Sequence, residues 1–200
     1  MFTDNVRKTK INEEVLQMNT NYEEKSNRVL HWKCRDEVYK NGELIDVIEG
    51  ENLVVDKCSV LIAGLLGLKT AQTPSGIQYW AIGSGSSSWD DLWGGATPPT
   101  PAANTTQLVA EIYRKAITAA NIKFVDGSGN EVADTNPTNR IKITVIISEA
   151  EGNGNWREFG LFGGNATASA NSGFMLNHKM HRILSKTSEI SVTRSIILEF

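Results

Sequence analysis

The apolar positions of this chain recur mostly with a period of two, the spacing of half-buried β-strands, because successive strand side chains point to opposite faces of a sheet. The clearest stretch runs from Ile141 to Phe162. Ile141, Ile143, Val145 and Ile147 share one parity, while Lys142, Thr144 and Ser148 take the other. The apolar signal stops after Glu149, and the run Glu151 to Asn155 (EGNGN) supplies residues that tolerate positive φ. Trp156, Phe159, Leu161 and Phe162 then resume it. This predicts a β-hairpin at the core, two strands joined by a polar turn.

The rest of the chain reads in the same way. Asn41-Gly42 between two strand-like runs, within Val29 to Ile48, predicts a hairpin. After Asp56, a helix-capping residue type, Val60, Leu61, Gly64, Leu65 and Leu68 recur at helical spacing, with Gly67 near the end. They predict a short apolar helix buried against the sheet. Ile77 to Ile82 reads as a strand, Asn104 to Thr118 as a short helix feeding a strand or as strand throughout, and Asn121 to Val125 as a strand. Phe174 to Leu184 and Glu189 to Phe200 read as the last two strands. In the final one Ile190, Val192, Ile196, Leu198 and Phe200 alternate, with Arg194 the exception on that parity. Phe200 reads as buried, with the last strand pinned in the sheet.

These elements predict a mainly β fold, a two-layer antiparallel β-sandwich over residues 29–200 with one or two short helices, preceded by an arm of residues 1–28. In the arm, Ile11, Val15, Met18 and Tyr22 line one narrow stripe if the segment is helical, a seam that fits either an oligomerising arm or a peripheral helix. A long aperiodic connection at 83–107 carries Trp89 and Trp93, which suit either a partner- or sugar-binding surface or lids folded back on the core.

Composition narrows the function classes. Hydrophobic residues make up 40% and charged residues 22%, as in an ordinary globular chain. A net charge of −3 without a basic patch argues against nucleic acid, and no apolar run reaches a membrane span. The first residues lack a secretory pattern, so synthesis and retention in a cytoplasm are expected, with Cys34 and Cys58 free and buried.

Candidate chemistry is sparse. His31, Cys34, His178 and His181 make a zinc set on paper, but a spacing of three on a strand turns His178 and His181 to opposite faces. The run Gly83 to Ser88 lacks the Gly-Lys-Ser/Thr ending of a phosphate loop. Asp90, Asp91, Glu149 and Glu151 read as solvated carboxylates. Glu158 lies among Trp156, Phe159, Leu161 and Phe162, so an inward side chain needs a cation, and Arg114 is the expected partner in a structural ion pair. No catalytic residue, metal or cofactor is expected.

The order of ENLVVDKCSVLIAGLLG, IQYWAIGSGS, TTQLVAEIYRKAIT and IKITVIISEAEGNGNWREFGLFGG, followed by a last strand pair, resembles a family of tailed-bacteriophage structural proteins of the tail-fibre and baseplate type, over roughly residues 40–200. The resemblance implies a virion protein without an active site, made in the bacterial host cytoplasm. Its partners would be further copies of itself, three or six, and other tail or baseplate proteins. The arm and the 83–107 loop depart from the family pattern and are where contacts particular to one virion are expected. The alternative is a host-glycan module in which Trp80, Trp89 and Trp93 stack on sugar rings.

Overall fold

A computed structural model describes residues 30, 32–67, 75–93 and 99–200. The arm, with Ile11, Val15, Met18 and Tyr22, lies outside the described residues, as do His31 and Leu68. The elements in chain order are β1 (Trp32–Lys40), β2 (Glu43–Val54), α1 (Asp56–Leu66), β3 (Ile77–Gly83), α2 (Ser88–Trp93), β4 (Glu111–Ala116), a 3-10 turn (Ala119–Asn121), β5 (Ile122–Phe124), β6 (Arg140–Ile147), β7 (Gly154–Gly163), β8 (Phe174–Met175), β9 (Asn177–Lys186) and β10 (Ile190–Glu199).

Every strand pairing is antiparallel, as the period-two pattern predicts. One layer has the order β2-β1-β10-β6-β5, and the other β4-β3-β7-β9 with β8 beside β7. The layers join where the end of β2 pairs with the start of β9, Leu53 opposite His178 and Val54 opposite Asn177. The ten strands thus form one sheet curled into a half-barrel with a sandwich-like core. Trp32, Cys34 and Val38 of β1, Ile143, Val145 and Ile147 of β6, and Val192, Ile196 and Leu198 of β10 pack against Trp80, Ile82, Trp156, Phe159 and Leu161 of the facing layer.

The Asn41-Gly42 hairpin forms as predicted. Both residues have positive φ, 51° and 82°, and Lys40 pairs with Glu43 across a two-residue turn whose twist matches its strands. The stretch 141–162 departs from expectation. Its two strands are present, but β6 pairs with β5 and β10 while β7 pairs with β3, β8 and β9, so they are not a hairpin. Residues 148–153 instead cross from one layer to the other. Glu151 ties this corner, accepting from the Tyr113 hydroxyl at 2.8 Å, Lys115 Nζ at 2.5 Å and the Ser148 N–H at 3.0 Å. The turn from β9 to β10 is another crossing, beside the first. Buried Lys186 binds the two corners together, its Nζ donating to the Glu149 carbonyl at 3.1 Å and to Asn153 Oδ1 at 2.8 Å.

Three further expectations change. Helix α1 forms and Gly67 closes it, its N–H bonding the Ala63 carbonyl at 2.9 Å, yet only Cys58 and Leu61 are buried while Val60, Leu65 and Leu66 are exposed. The segment 104–118 yields strand only at Glu111–Ala116. Phe200 is 42% exposed rather than buried, although its N–H is held by the Asn139 carbonyl at 3.0 Å.

β10 lies between β1 and β6, and Leu198 is fully buried. Deleting Leu198, Glu199 and Phe200 removes a core side chain and the end of an interior strand, so a stability loss of roughly 3 kcal/mol or more is expected. A urea denaturation midpoint equal to that of the intact chain would show that the terminus is not pinned.

Candidate functional site

Arg194, the exception on the apolar parity of β10, sits in the core. It stands directly opposite Asp36 in the β1–β10 ladder, and both are buried. Its Nε donates to Asp36 Oδ1 at 2.6 Å and its Nη2 to Asp36 Oδ2. The guanidinium lies 4.1 Å from the Phe159 ring centroid, 5.3 Å from Trp156 and 5.9 Å from Trp80, so aromatic faces of the opposite layer shield and attract the cation. His181 packs in the same region, 6.0 Å from Phe159, and its Nδ1 faces the Arg182 carbonyl at 2.7 Å. Burial, reinforced by the charge of Arg194, pulls its pKa from 6.5 down to about 4.

The outer face of the second layer carries the other buried charges. The expected pair of Arg114 with Glu158 does not form. Arg114 grips Glu111 with two bonds, 2.7 and 2.9 Å, because a register shift at Ile112 sets the two opposite Gly83 and Ala81, residues of one parity on β3, and so turns both side chains to the same side. The remaining donors of Arg114 reach the Thr167 carbonyl at 2.8 Å and the Ser172 hydroxyl at 2.9 Å, and its plane covers Phe162 at 4.5 Å. Glu158 is buried on this outer face and meets His178, Oε2 to Nε2 at 2.9 Å, and accepts the Ala110 N–H at 3.0 Å. Gly83 leaves room for that carboxylate, since a Cβ there would lie 2.5 Å from Glu158 Oε1. Arg157 clasps Asp90 of α2, with Nε–Oδ1 at 2.8 Å and Nη2–Oδ2 at 2.5 Å, and lowers the carboxyl pKa of Asp90 by hydrogen bonding.

Chemically, this arrangement holds loops in place. Glu158 and His178 form a carboxylate–imidazole pair, and both are buried. Burial pushes the Cys58 thiol up to about 12 and raises that of Cys34, so both are poor nucleophiles. Among the described residues no three His, Cys, Asp or Glu side chains converge as metal ligands; His178 and His181 face opposite sides of β9, the first toward Glu158 and the second toward Phe159. Trp80 is fully buried and has no free face for a sugar. Trp89 is half-buried with its ring against Gly85, while the Trp93 side chain lies outside the described residues.

The surface is less occupied than the interior. Leu44 and Ile45 of β2 are 51% and 54% exposed, Val47 37%, and Leu66 of α1 81%. A groove of about 520 Å³ on the outer face of the first layer is lined by Lys33, Arg35, Lys142, Thr144 and Ser195 among others. Among the described residues no helix is long and apolar enough to cross a membrane.

Sequence reasoning missed Asp36 and the true partners of Arg114 and Glu158. A signal for Asp36 was present: it shares the parity of Trp32, Cys34 and Val38, as Arg194 shares that of Val192 and Ile196. Two opposite charges at apolar positions of two strands mark a buried pair. No protein-family model matches this sequence, and no curated protein matches it.

Replacing Arg194 with Met strands the Asp36 carboxylate in the core and is expected to cost about 3–5 kcal/mol in chemical denaturation. The double variant D36L/R194M should recover much of that loss. Equal stability of R194M and the native chain would remove the pair from the list of structural determinants. For acid titration, the folded pKa of His181 near 4 lies below its ordinary 6.5, so the unfolded chain binds the proton first. Stability is therefore expected to fall as pH drops from about 6.5 to 4. Glu151, held down to about 2 chiefly by its bond from Lys115, adds a second loss below its ordinary 4.5. His181→Gln should flatten the upper part of the stability–pH curve and leave the lower part unchanged.

Proposed function

We propose that this protein is a structural component of a tailed-bacteriophage virion or a related contractile injection particle. It would serve as an adaptor in the tail, baseplate, collar or fibre-attachment region and act by assembly with itself and neighbouring virion proteins. The observation that carries the reading is the exposed apolar surface: Leu44, Ile45 and Val47 on β2 and Val60, Leu65 and Leu66 on α1 stand in water on an otherwise well-packed domain. Burying one such side chain against a partner contributes about 1.5–3 kcal/mol. A few copies arranged about a symmetry axis then gain enough to offset the entropy of association.

The resemblance of residues 40–200 to phage structural proteins supports the same reading, as does the engagement of the buried carboxylates and guanidinia with one another and with loop backbone. On this reading the protein has no catalytic role and works as a homo-oligomer of three or six copies. Host-glycan recognition through tryptophans is less well supported, since the ring of Trp80 is buried and that of Trp89 is packed on its own loop.

Light scattering on the purified full-length chain is expected to give the mass of three or six copies, and on a chain starting at Val29 the mass of one. If both are monomeric over the accessible concentration range, self-assembly is not how the protein works. Tryptophan fluorescence titrated with host surface polysaccharide is expected to stay unchanged, and a saturable change would instead favour glycan binding.

A further inference from the structure

Among the described residues several strand edges lack a strand partner: the outer sides of β4 and β5, the side of β9 away from β7 beyond His178, and most of one side of β2. β2 pairs with β1 from Glu43 to Asn52, but on its other side it meets β9 only at Leu53 and Val54. From Glu43 to Glu49 that second side has no strand partner among the described residues, and Glu43 to Val47 are exposed. Side chains close part of the edge. Lys179 crosses over Gly50, where a Cβ would lie 2.5 Å from its Nζ, and donates to the Glu51 carbonyl at 2.5 Å. The Asp46 carboxylate takes the Val47 N–H at 2.8 Å. Because backbone groups alternate in direction along a strand, Val47, Glu49 and Glu51 aim theirs away from β1. The Val47 carbonyl and the Glu49 N–H and carbonyl therefore face outward, ready to pair with a further strand.

Natural proteins protect a long edge with charged side chains, proline, a β-bulge or a covering element. Here the protection is acidic, with a register shift at Ile45, so it repels an acidic strand and not a cationic one. Glu43 to Glu51 contains neither lysine nor proline. It carries Glu43, Asp46, Glu49 and Glu51 with no basic residue, and Leu44, Ile45 and Val47 are exposed on it. Two such edges would bring like charges together, so a second β2 is a poor partner, whereas a cationic strand fits. The chain has one in residues 6–12, Val-Arg-Lys-Thr-Lys-Ile-Asn, where Arg7, Lys8 and Lys10 stand without an acid and Val6, Thr9 and Ile11 are strand-forming types. Residues 13–29 can span up to about 60 Å when extended, enough to carry residues 6–12 beyond their own subunit.

We propose that residues 6–12 of a neighbouring copy add as a strand to the free edge of β2, with Lys8 and Lys10 on one face meeting Glu43 and Asp46, and with Ile11 on the other covering Leu44 and Val47 while Arg7 joins Arg35 beside Glu49. The pairing rests on the self-assembly reading and names its contact. Main-chain hydrogen bonds supply the affinity, and the charge pattern selects the arm over another edge.

The test uses charge reversal in the full chain, read by light scattering and by amide exchange of the peptide 43–49, with far-UV circular dichroism as the check on folding. R7E/K8E/K10E and, separately, E43K/D46K are expected to lower the mass to one copy and to speed exchange of that peptide roughly tenfold or more. Combining both sets in one chain should restore the oligomer and the protection. If R7E/K8E/K10E leaves mass and exchange unchanged, the arm–edge contact is overturned while self-assembly stands. A wild-type chain that is monomeric overturns the self-assembly reading, and the neighbouring-copy pairing with it.

Discussion

The bond between Arg194 and Asp36 sets the terms for the rest of the sandwich. Apolar burial drives the two layers together, but it is indifferent to small shifts of one strand along another provided that parity is kept. The ion pair is not. Asp36 lies opposite Arg194 in the ladder, and a slip of β1 against β10 leaves a guanidinium in the core without its carboxylate. Uncompensated burial of one charge costs several kcal/mol, whereas the native pair offsets much of its desolvation by close hydrogen bonds and by the rings of Phe159, Trp156 and Trp80. The same contact joins the layers, because the rings belong to β3 and β7 and the charges to β1 and β10.

Around that centre, the remaining buried charges hold loops to the second layer. Arg114 anchors residues 167–172, Arg157 anchors α2, and Glu158 holds the backbone of Ala110. Lys186 and Glu151 do the same for the crossings from β6 to β7 and from β9 to β10. These ties explain why β3 and β7 are buried on both faces although the chain is modest in size. They leave apolar side chains exposed at several places on the surface, among them Leu44, Ile45 and Val47 of β2 and Leu66 of α1, where the proposed assembly would bury them.

Much of the local architecture was legible in the residues. The parity of β6 and β10, the Asn41-Gly42 turn, the span of α1 and the mainly antiparallel β class follow from neighbouring residues alone, since a strand's inward face and a turn's φ angles are local properties. Arg194 stands out on its parity, and Glu158, set among apolar residues, marks a carboxylate that needs a partner once it is buried.

What only the tertiary structure decided was partnership. β6 and β7 carry the sequence marks of a hairpin, yet the polar segment between them crosses the core and each strand pairs elsewhere. Glu158 needed a partner and took His178, while Arg114 took Glu111. The edge of β2 is open only because β9 turns away after His178. Periodicity records which way a side chain faces but not which distant strand lies beside it, because that depends on how the two layers close over Arg194.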